Sequence, residues 1–394
     1  MTSGTRGSQE DGRRSAFRPR VLFLGTTYAG HAVRFANLEA HARGDARMRP
    51  TFKRITGWRE NELLERIPYV PAGVKGRVRA LMEAAPFATL PRPDVIWCTG
   101  AGVMAPYLWA QLGRLRRPIM LNLDATVELL EAMAPIYHRR PRRTGLAYRG
   151  ARLIEQALWR TVTVFAPWSH WAAESLRRQG VPAHKIRVLP PGVDLDLWRP
   201  RPRSPRDPDA PVRVLFVGAD FERKGGDLLL EVYRTRFRGR LELDIVTRAD
   251  MQGQGDVRVH HAEPNTPALR ALYAAADLFV LPTRAECFGI AATEAMSCAL
   301  PVIMADVGGA RDIVVPGETG WLIEPTAASL SAALEAAWQA RAGLDGIGRR
   351  GRVRAEHCFD GRRNDAAVLD LLLEMATSTP RTGRGHPPGL LPPA

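Results

Sequence analysis

The chain has 394 residues, 45% of them hydrophobic, which is enough for two domains with a core each. Its four cysteines lack disulfide or metal-site spacing, and we interpret them as free thiols of a reducing cytoplasm. The first fifteen residues have no apolar core, and no apolar run approaches the roughly 18 residues that span a bilayer. We therefore expect a cytoplasmic protein that lies, at most, on the inner face of a membrane.

The formal net charge of +15 is confined to the first half of the chain. Residues 1–200 carry 32 Lys and Arg against 16 Asp and Glu, whereas residues 201–394 carry 24 against 25. A basic half favours an anionic membrane surface, an acidic acceptor or nucleic acid as a partner. An arginine-rich composition from a GC-rich genome would give the same excess without any partner, so both readings remain open.

Residues 18–198 have the pattern of a first α/β domain, preceded by a polar stretch, 1–17, that predicts a disordered tail. Apolar runs that predict buried parallel strands alternate with patterns that predict helices. The predicted strands are 20–25, 94–98, 118–124 and 161–167, and the predicted helices include 76–84 and 105–115. This alternation indicates a Rossmann-like domain.

Three residues near the ends of these strands are candidate ligand contacts. Gly30, in the loop after the first strand, would let a sugar or a phosphate approach the backbone. His31 either begins a helix or takes part in function. Asp124 ends its strand and either hydrogen-bonds a sugar hydroxyl or caps the next helix.

Two basic segments of this domain are candidate anion-binding surfaces. Residues 137–152 contain six Arg and no acidic residue, with Pro141 and Gly145 to interrupt a long helix. This pattern predicts a surface loop that binds phosphates of an acceptor or of lipid headgroups. Residues 73–84 fit either a basic amphipathic helix or an ordinary solvated helix.

The proline-rich segment 199–211 is the predicted linker, and residues 212–360 are predicted to form a second Rossmann-like domain. Its first strand, 212–218, again ends at a glycine and is followed by Arg223, Lys224 and a helix. Two cations before a helix N-terminus form a diphosphate site by simple electrostatics, although Arg223 could equally point to solvent.

The segment 277–325 reads as a strand, a helix and a second strand. Glu286 lies in the loop before the helix and Glu294 about one turn inside it, so both carboxylates face one crevice. Carboxylates accept hydrogen bonds from the diols of sugars and ribose, and Gly289 allows close approach to the backbone. Taken alone, the two Glu residues could equally be a helix cap and a solvated side chain.

The Glu-x7-Glu spacing around a Phe-Gly turn resembles glycosyltransferase family 4, which contains retaining nucleotide-sugar glycosyltransferases of the GT-B fold. The family's other short motifs stand in the expected order around this segment: Lys224-Gly225 comes before it, and Gly308-Gly309 and Thr319-Gly320 come after it. The resemblance implies an α/β protein with two Rossmann-like domains that face a cleft. The final helix, 361–376, would cross back to the first domain, and the Pro- and Gly-rich residues 377–394 predict a second disordered tail.

The resemblance also implies roles for individual residues. Glu286 and the Phe-Gly backbone would hold the donor sugar, Glu294 the ribose, and Lys224 the diphosphate. This sequence departs from the family pattern at three positions. The family's diphosphate-binding Arg would fall at Ala219, so Arg223 would replace it. The family's sugar-binding His is absent near Asp124, and Asp312 stands where the family more often has Glu. The implied donor-binding residues are Gly30, Arg223, Lys224, Arg248, Glu286, Phe288, Gly289, Ile290 and Glu294, and the candidate catalytic residues are Lys224, Glu286 and Asp124.

The implied reaction moves a sugar, with retained configuration, from a UDP- or GDP-sugar to a hydroxyl of a glycan, lipid or small-molecule acceptor, without metal or other cofactor. Lys224, Arg223 and helix N-termini would stabilise the leaving diphosphate. One alternative is an inverting transferase or nucleotide-sugar epimerase of the same fold, with His31 and Asp124 to be tested as bases. Another is an inactive basic protein that binds nucleic acid or membrane. The intact motifs favour the enzyme, so we expect no nucleic-acid partner; the sugar, nucleotide, acceptor and oligomeric state stay open.

Overall fold

The computed structural model describes residues 17–26, 29–55, 92–99, 117–137, 153, 156, 157, 159–201 and 210–378. Within these ranges the chain forms two parallel β-sheets with helices packed against them. The expected helices at 76–84 and 105–115, nearly all of the basic segment 137–152, and most of both predicted tails lie outside the described residues. So do residues 202–209 of the predicted linker, and the proposed domain limits therefore remain predictions.

The first sheet belongs to the N-terminal part of the chain. Its elements are β1 (Arg20–Thr26), α1 (Ala29–Gly44), β2 (Arg49–Ile55), β3 (Val95–Thr99), β4 (Ile119–Leu123), α2 (Val127–Ala132), β5 (Val164–Pro167) and α3 (His170–Arg178). The five strands pair in the order β2-β1-β3-β4-β5. All residues of β3 and β4 are buried, as expected for parallel strands with both faces covered.

The second sheet is built by the following half of the chain. Its elements are β6 (Val212–Val217), α4 (Gly226–Arg236), β7 (Leu241–Val246), β8 (Val257–His260), α5 (Pro267–Ala275), β9 (Leu278–Leu281), α6 (Ile290–Ser297), β10 (Val302–Ala305), α7 (Ala310–Ile313), β11 (Gly320–Ile323), α8 (Ala327–Gln339) and α9 (Leu344–Cys358). The six strands pair in the order β11-β10-β9-β6-β7-β8, so β6 and β9 are neighbours. Their carboxyl ends therefore bring the loops after β6 and β9 side by side.

The last helix, α10 (Gly361–Ser378), returns from the second sheet to the first. Its buried apolar residues, including Val368 and Leu372, share a core cluster with Val21 and Phe23 of β1. The predicted crossing helix is confirmed, and it runs two residues beyond the predicted end at 376. The expected architecture, two parallel α/β units joined by a returning helix, is thus confirmed.

A buried ion pair ties α10 to α1. Arg34, only 1% exposed, bonds to the carboxylate of Asp365, whose side chain is fully buried. Nδ1 of His41 lies 2.7 Å from the second carboxylate oxygen of Asp365. Burial lowers the pKa of Arg34 to about 10, which still leaves the guanidinium charged at neutral pH. The charge therefore depends on Asp365 for compensation.

None of the helices in the described ranges combines the length and the apolar character that crossing a bilayer would require.

We expect Asp365→Asn to destabilise the protein by roughly 3–5 kcal/mol, because Arg34 would keep a buried charge without a counter-ion. Denaturant-induced unfolding followed by circular dichroism measures this change. Asp370→Asn on the same helix is the matched control. Asp370 is 60% exposed in its pair with Arg47, so its loss should cost less than about 1 kcal/mol. Equal effects of the two substitutions would contradict this account of the crossing helix.

Candidate active site

The loop after β6 and the loop after β9 are fastened to each other by hydrogen bonds. The backbone N–H of Arg284 donates to the carbonyl of Arg223 over 2.9 Å, and Nη1 of Arg223 donates to the carbonyl of Ala285 over 3.0 Å. The hydroxyl of Thr283 also donates to the Arg223 carbonyl, over 3.2 Å. Because each loop is held by the other, the side chains that they carry have a fixed mutual position.

This arrangement brings Lys224 and Glu286 into direct contact. The ammonium of Lys224 pairs with Oε2 of Glu286, and the two side chains are 19% and 12% exposed. Oε1 of Glu286 accepts a hydrogen bond of 3.2 Å from the N–H of Cys287. Two residues that the sequence predicted from separate segments thus form one partly buried ion pair at the carboxyl edge of the second sheet.

Glycines shape the backbone around this pair. Gly289 is the N-cap of α6 with φ +108°, a left-handed conformation that favours glycine. Gly308 has φ +60°, and a Cβ there would lie 1.8 Å from the carbonyl oxygen of Glu286. The helices α4 and α6 both begin at glycine N-caps, Gly225 and Gly289, without a side-chain cap. Their N-termini therefore offer positive dipole ends beside the pair, where an anion is stabilised.

Glu294 lies in a different environment from Glu286. It is on α6, one turn from its start, and only 8% exposed. The hydroxyl of Tyr273 donates to its Oε2 over 3.1 Å. Burial raises the pKa of Glu294 from 4.5 to about 8, and the hydrogen bond from Tyr273 offsets only part of that rise. The carboxyl group is therefore poised between its neutral and charged forms near neutral pH.

On the side of the first sheet, His31 joins β3 to the end of β4. Nε2 of His31 lies 3.0 Å from Oδ1 of Asp124, and Nδ1 lies 2.6 Å from the hydroxyl of Thr99. An ionised carboxylate only accepts hydrogen bonds, so Nε2 carries the hydrogen and Thr99 donates to Nδ1 when the ring is neutral. Both ring nitrogens are then occupied, which leaves neither free for a substrate.

Asp124 is held in its charged form. Burial would raise the pKa of Asp124, but the charge and the hydrogen bond of His31, its own backbone N–H and the thiol of Cys287 together lower it below its usual range. The alternative that Asp124 caps α2 is wrong, because the hydroxyl of Thr126 accepts from the N–H of Leu129 and forms that cap.

Trp168 lies at a cross-domain contact that also includes Gly30, Phe288 and Ile290. Its indole N–H donates to Oδ1 of Asn122 over 2.8 Å, and its ring lies 4.6 Å from that of His31 and 6.1 Å from that of Phe288. A Cβ on Gly30 would lie 3.1 Å from Ile290 Cδ1, so the first turn of α1 lies against the start of α6. Gly30 and Ile290 thus meet across the cleft. The side chain of Phe288 is buried and packs there.

Further contacts join the two halves around Cys287, a residue that the sequence left unassigned. Cys287 packs with Ala125 and Leu129 of the first domain. Close by, the guanidinium of Arg223 lies over the ring of Tyr137, with 4.8 Å between its carbon and the ring centroid. The sequence contained a signal for a site role of Trp168, because this residue directly follows a predicted strand at the ligand edge of the sheet. It contained no such signal for Tyr137.

Asp312, which stands where the family more often has Glu, joins the domains from another side. Its carboxylate accepts from the backbone N–H of His170 over 3.0 Å and lies 2.5 Å from Nδ1 of the same residue. It therefore carries negative charge to the N-terminus of α3, which the helix dipole favours. Its position identifies a contact between domains.

Arg248 is less firmly placed than the other candidates. Its side chain is 72% exposed, and its guanidinium lies 3.5 Å from the carboxylate of Glu263, which is 75% exposed. Its implied role in donor binding remains a prediction. Across the described ranges, no group of three or more His, Cys, Asp or Glu side chains has the geometry to hold a metal ion.

Comparison with known proteins covers most of the chain. The family model described as Glycosyltransferase Family 4 matches residues 26–197, and the model described as Glycosyl transferases group 1 matches residues 211–340. The chain belongs to glycosyltransferase family 4. The family membership inferred from the Glu-x7-Glu segment is thereby confirmed.

Relatives of this chain support the assignment over part of their length. D-inositol 3-phosphate glycosyltransferase of Arthrobacter sp. (strain FB24) is 31% identical over 221 residues, which are 50% of this chain and 52% of the relative. D-inositol 3-phosphate glycosyltransferase 1 of Catenulispora acidiphila is 32% identical over 239 residues, 53% of this chain and 55% of the relative. The matched regions thus span about half the length of these relatives.

Solved structures share the fold. Sucrose-phosphate synthase from Thermosynechococcus elongatus superposes with a TM-score of 0.69 at 19% identity and covers 92% of this chain and 100% of its own. Anabaena HepE in complex with UDP and glucose superposes with a TM-score of 0.63 at 17% identity, covering 91% and 100%. These similarities establish the GT-B fold for this family member.

We expect the stability of the protein to fall with rising pH through the titration of Glu294. Its pKa is raised from 4.5 to about 8, so the stability of the neutral form is fully present below about pH 4.5 and is lost as the pH rises through about 8. Melting temperatures of the wild type and of Glu294→Gln should therefore diverge between about pH 4.5 and 8, with the variant less sensitive to pH. Glu318→Gln, an exposed residue, is the control and should follow the wild type. Parallel profiles for all three would refute the assignment.

Proposed function

We propose that the protein transfers a sugar from a UDP- or GDP-sugar to an acceptor hydroxyl with retention of configuration and without a metal ion. The contact of Lys224 with Glu286 beside two uncapped helix N-termini is the observation that carries this proposal. It places a cation for a diphosphate and a carboxylate for sugar hydroxyls at one point, as a nucleotide sugar requires.

The donor would bind mainly through the second domain. Its diphosphate would lie on the N-termini of α4 and α6 with Lys224 and Arg223, which stabilise the charge that grows as the glycosidic bond breaks. Glu286 would then accept hydrogen bonds from hydroxyls of the sugar and lose part of its contact with Lys224. Glu294 would accept hydrogen bonds from the ribose, which favours its charged form.

The first-domain residues support a retaining reaction over an inverting one. An inverting enzyme needs a protein base opposite the leaving group, with an available atom and a pKa near the working pH. Both nitrogens of His31 are engaged, and the pKa of Asp124 is lowered, which makes each a poor base. A leaving phosphate oxygen can take the acceptor's proton instead.

The hydrogen-bonded series of side chains from Thr99 through His31 to Asp124 keeps the inverting transferase as a second candidate. If Asp124 faced an acceptor hydroxyl, it could take its proton while His31 stayed hydrogen-bonded behind it. The epimerase alternative needs the same side chains to reach the sugar, and no separate observation favours it.

The acceptor is proposed to be anionic. The relatives are named as D-inositol 3-phosphate glycosyltransferases, and the excess of basic residues lies in the first half of this chain. A phosphorylated polyol or a phospholipid headgroup fits that charge. Anabaena HepE was crystallised with UDP, which makes UDP-sugars the first donors to test.

Donor cleavage tests the proposed function directly. Purified protein is incubated with a panel of UDP- and GDP-sugars, and released UDP or GDP is measured. We expect one donor to be cleaved and Glu286→Gln to lower that rate roughly 10²-fold or more, because a contact to the reacting sugar is lost. Glu222→Gln, exposed in the loop after β6, is the control and should retain the wild-type rate.

Binding without cleavage would indicate that the acceptor is required for turnover. If no nucleotide binds, the donor-site assignment is wrong, and the alternative of a basic binding protein is tested by the salt dependence of its association with anionic vesicles or nucleic acid.

The anomeric configuration of the product separates the two transferase mechanisms. Proton NMR of the fresh product should detect the anomer of the donor, and Asp124→Asn should lower the rate roughly tenfold at most, because Asp124 acts only on positioning. Inverted configuration, with a loss of about 10²- to 10⁴-fold in Asp124→Asn, would assign the base role to Asp124 and overturn the retaining mechanism.

A further inference from the structure

Tyr137 reaches from the first domain to a cation of the second. It lies in the turn that follows α2, and its ring centroid is 4.8 Å from the guanidinium carbon of Arg223. This distance is that of a cation–π contact, which is strengthened where water is excluded. Tyr137 is partly buried, and burial raises the pKa of its hydroxyl, so the phenol stays neutral.

The other contacts of Arg223 fix the rest of its guanidinium. Nε donates to Oδ2 of Asp220 over 2.8 Å, and Nη1 donates to the carbonyl of Ala285 over 3.0 Å. Within the part of the chain that the structure describes, no hydrogen bond from Nη2 is found. With Nε and Nη1 held and the ring of Tyr137 against the group, Nη2 is left for an external acceptor.

The first domain holds Tyr137 in place through the backbone. Its N–H donates to the carbonyl of Met133 over 3.3 Å, closing the turn at the end of α2. At the other end of α2, the hydroxyl of Thr126 lies 2.7 Å from that of Ser175 on α3. Leu129, between these ends, belongs to the cluster with Cys287 of the second domain. The same helix therefore makes the domain contact and presents the ring.

We propose that Tyr137 is a positioning residue for the donor diphosphate, acting from the opposite domain by holding the guanidinium of Arg223 while Nη2 binds a phosphate oxygen. This inference rests on the proposed function, which assigns the diphosphate to Arg223 and Lys224. A guanidinium that is already fixed loses little conformational freedom when the diphosphate binds. The affinity for the diphosphate thus depends on contact between the domains, although Arg223 and Lys224 both belong to the second domain.

The ring and the hydroxyl of Tyr137 can be tested separately. Dissociation constants for UDP and GDP, and for uridine and guanosine, are measured by calorimetry on the full chain of the wild type, Tyr137→Phe and Tyr137→Leu. For the nucleotide that binds, Tyr137→Leu should weaken diphosphate binding roughly five- to twentyfold, and Tyr137→Phe should remain within about twofold of the wild type. Nucleoside binding should be the same in all three proteins.

A double-mutant cycle separates this role from a structural one. If Tyr137 acts through Arg223, adding Tyr137→Leu to Arg223→Gln should produce no further loss of diphosphate affinity. An unchanged diphosphate affinity in Tyr137→Leu, or an equal loss for diphosphate and nucleoside, would overturn the positioning role while leaving the proposed function intact. A wild type that binds none of the four compounds would overturn the proposed function and this inference with it.

Discussion

The hydrogen bonds between the loops after β6 and β9 are the constraint on which the candidate site depends. The carbonyl of Arg223 accepts from both the N–H of Arg284 and the hydroxyl of Thr283. Neighbouring parallel strands place the two loops together, and these bonds fix their relative position to within a hydrogen-bond length. Lys224 and Glu286 can therefore form one ion pair at the edge of the sheet, where two helix dipoles reinforce a preference for anions.

Two carboxylates of the same type are prepared for different ligands by their surroundings. Glu286 has the ammonium of Lys224 beside it and forms an ion pair with it. Glu294 accepts a hydrogen bond from the hydroxyl of Tyr273, and burial raises its pKa to about 8. A ligand that brings hydroxyl donors is thus a better partner for Glu294 than one that brings negative charge.

The sequence predicted the second domain better than the first, for physical reasons. Strand-to-glycine openings and the positions of Glu286 and Glu294 are local patterns, and the local backbone alone determines that they lie at one sheet edge. The contact of His31 with Asp124 joins residues 93 positions apart and requires the strand order β2-β1-β3-β4-β5, which no local pattern contains. Likewise Tyr137, at the edge of a basic segment, meets Arg223 only through the packing of two domains.

Contacts between the two domains hold several residues of the candidate donor site. Nearly all the groups that suit a nucleotide sugar belong to the second domain, yet several are held by the first. Trp168 packs on Phe288, Ala125 and Leu129 pack on Cys287, and Tyr137 covers Arg223. Each contact lies within two residues of Glu286 or Lys224. Separation of the domains would therefore loosen the candidate donor site at the same moment as it opened the cleft. We infer that binding of a donor and closure of the domains would favour each other by linkage.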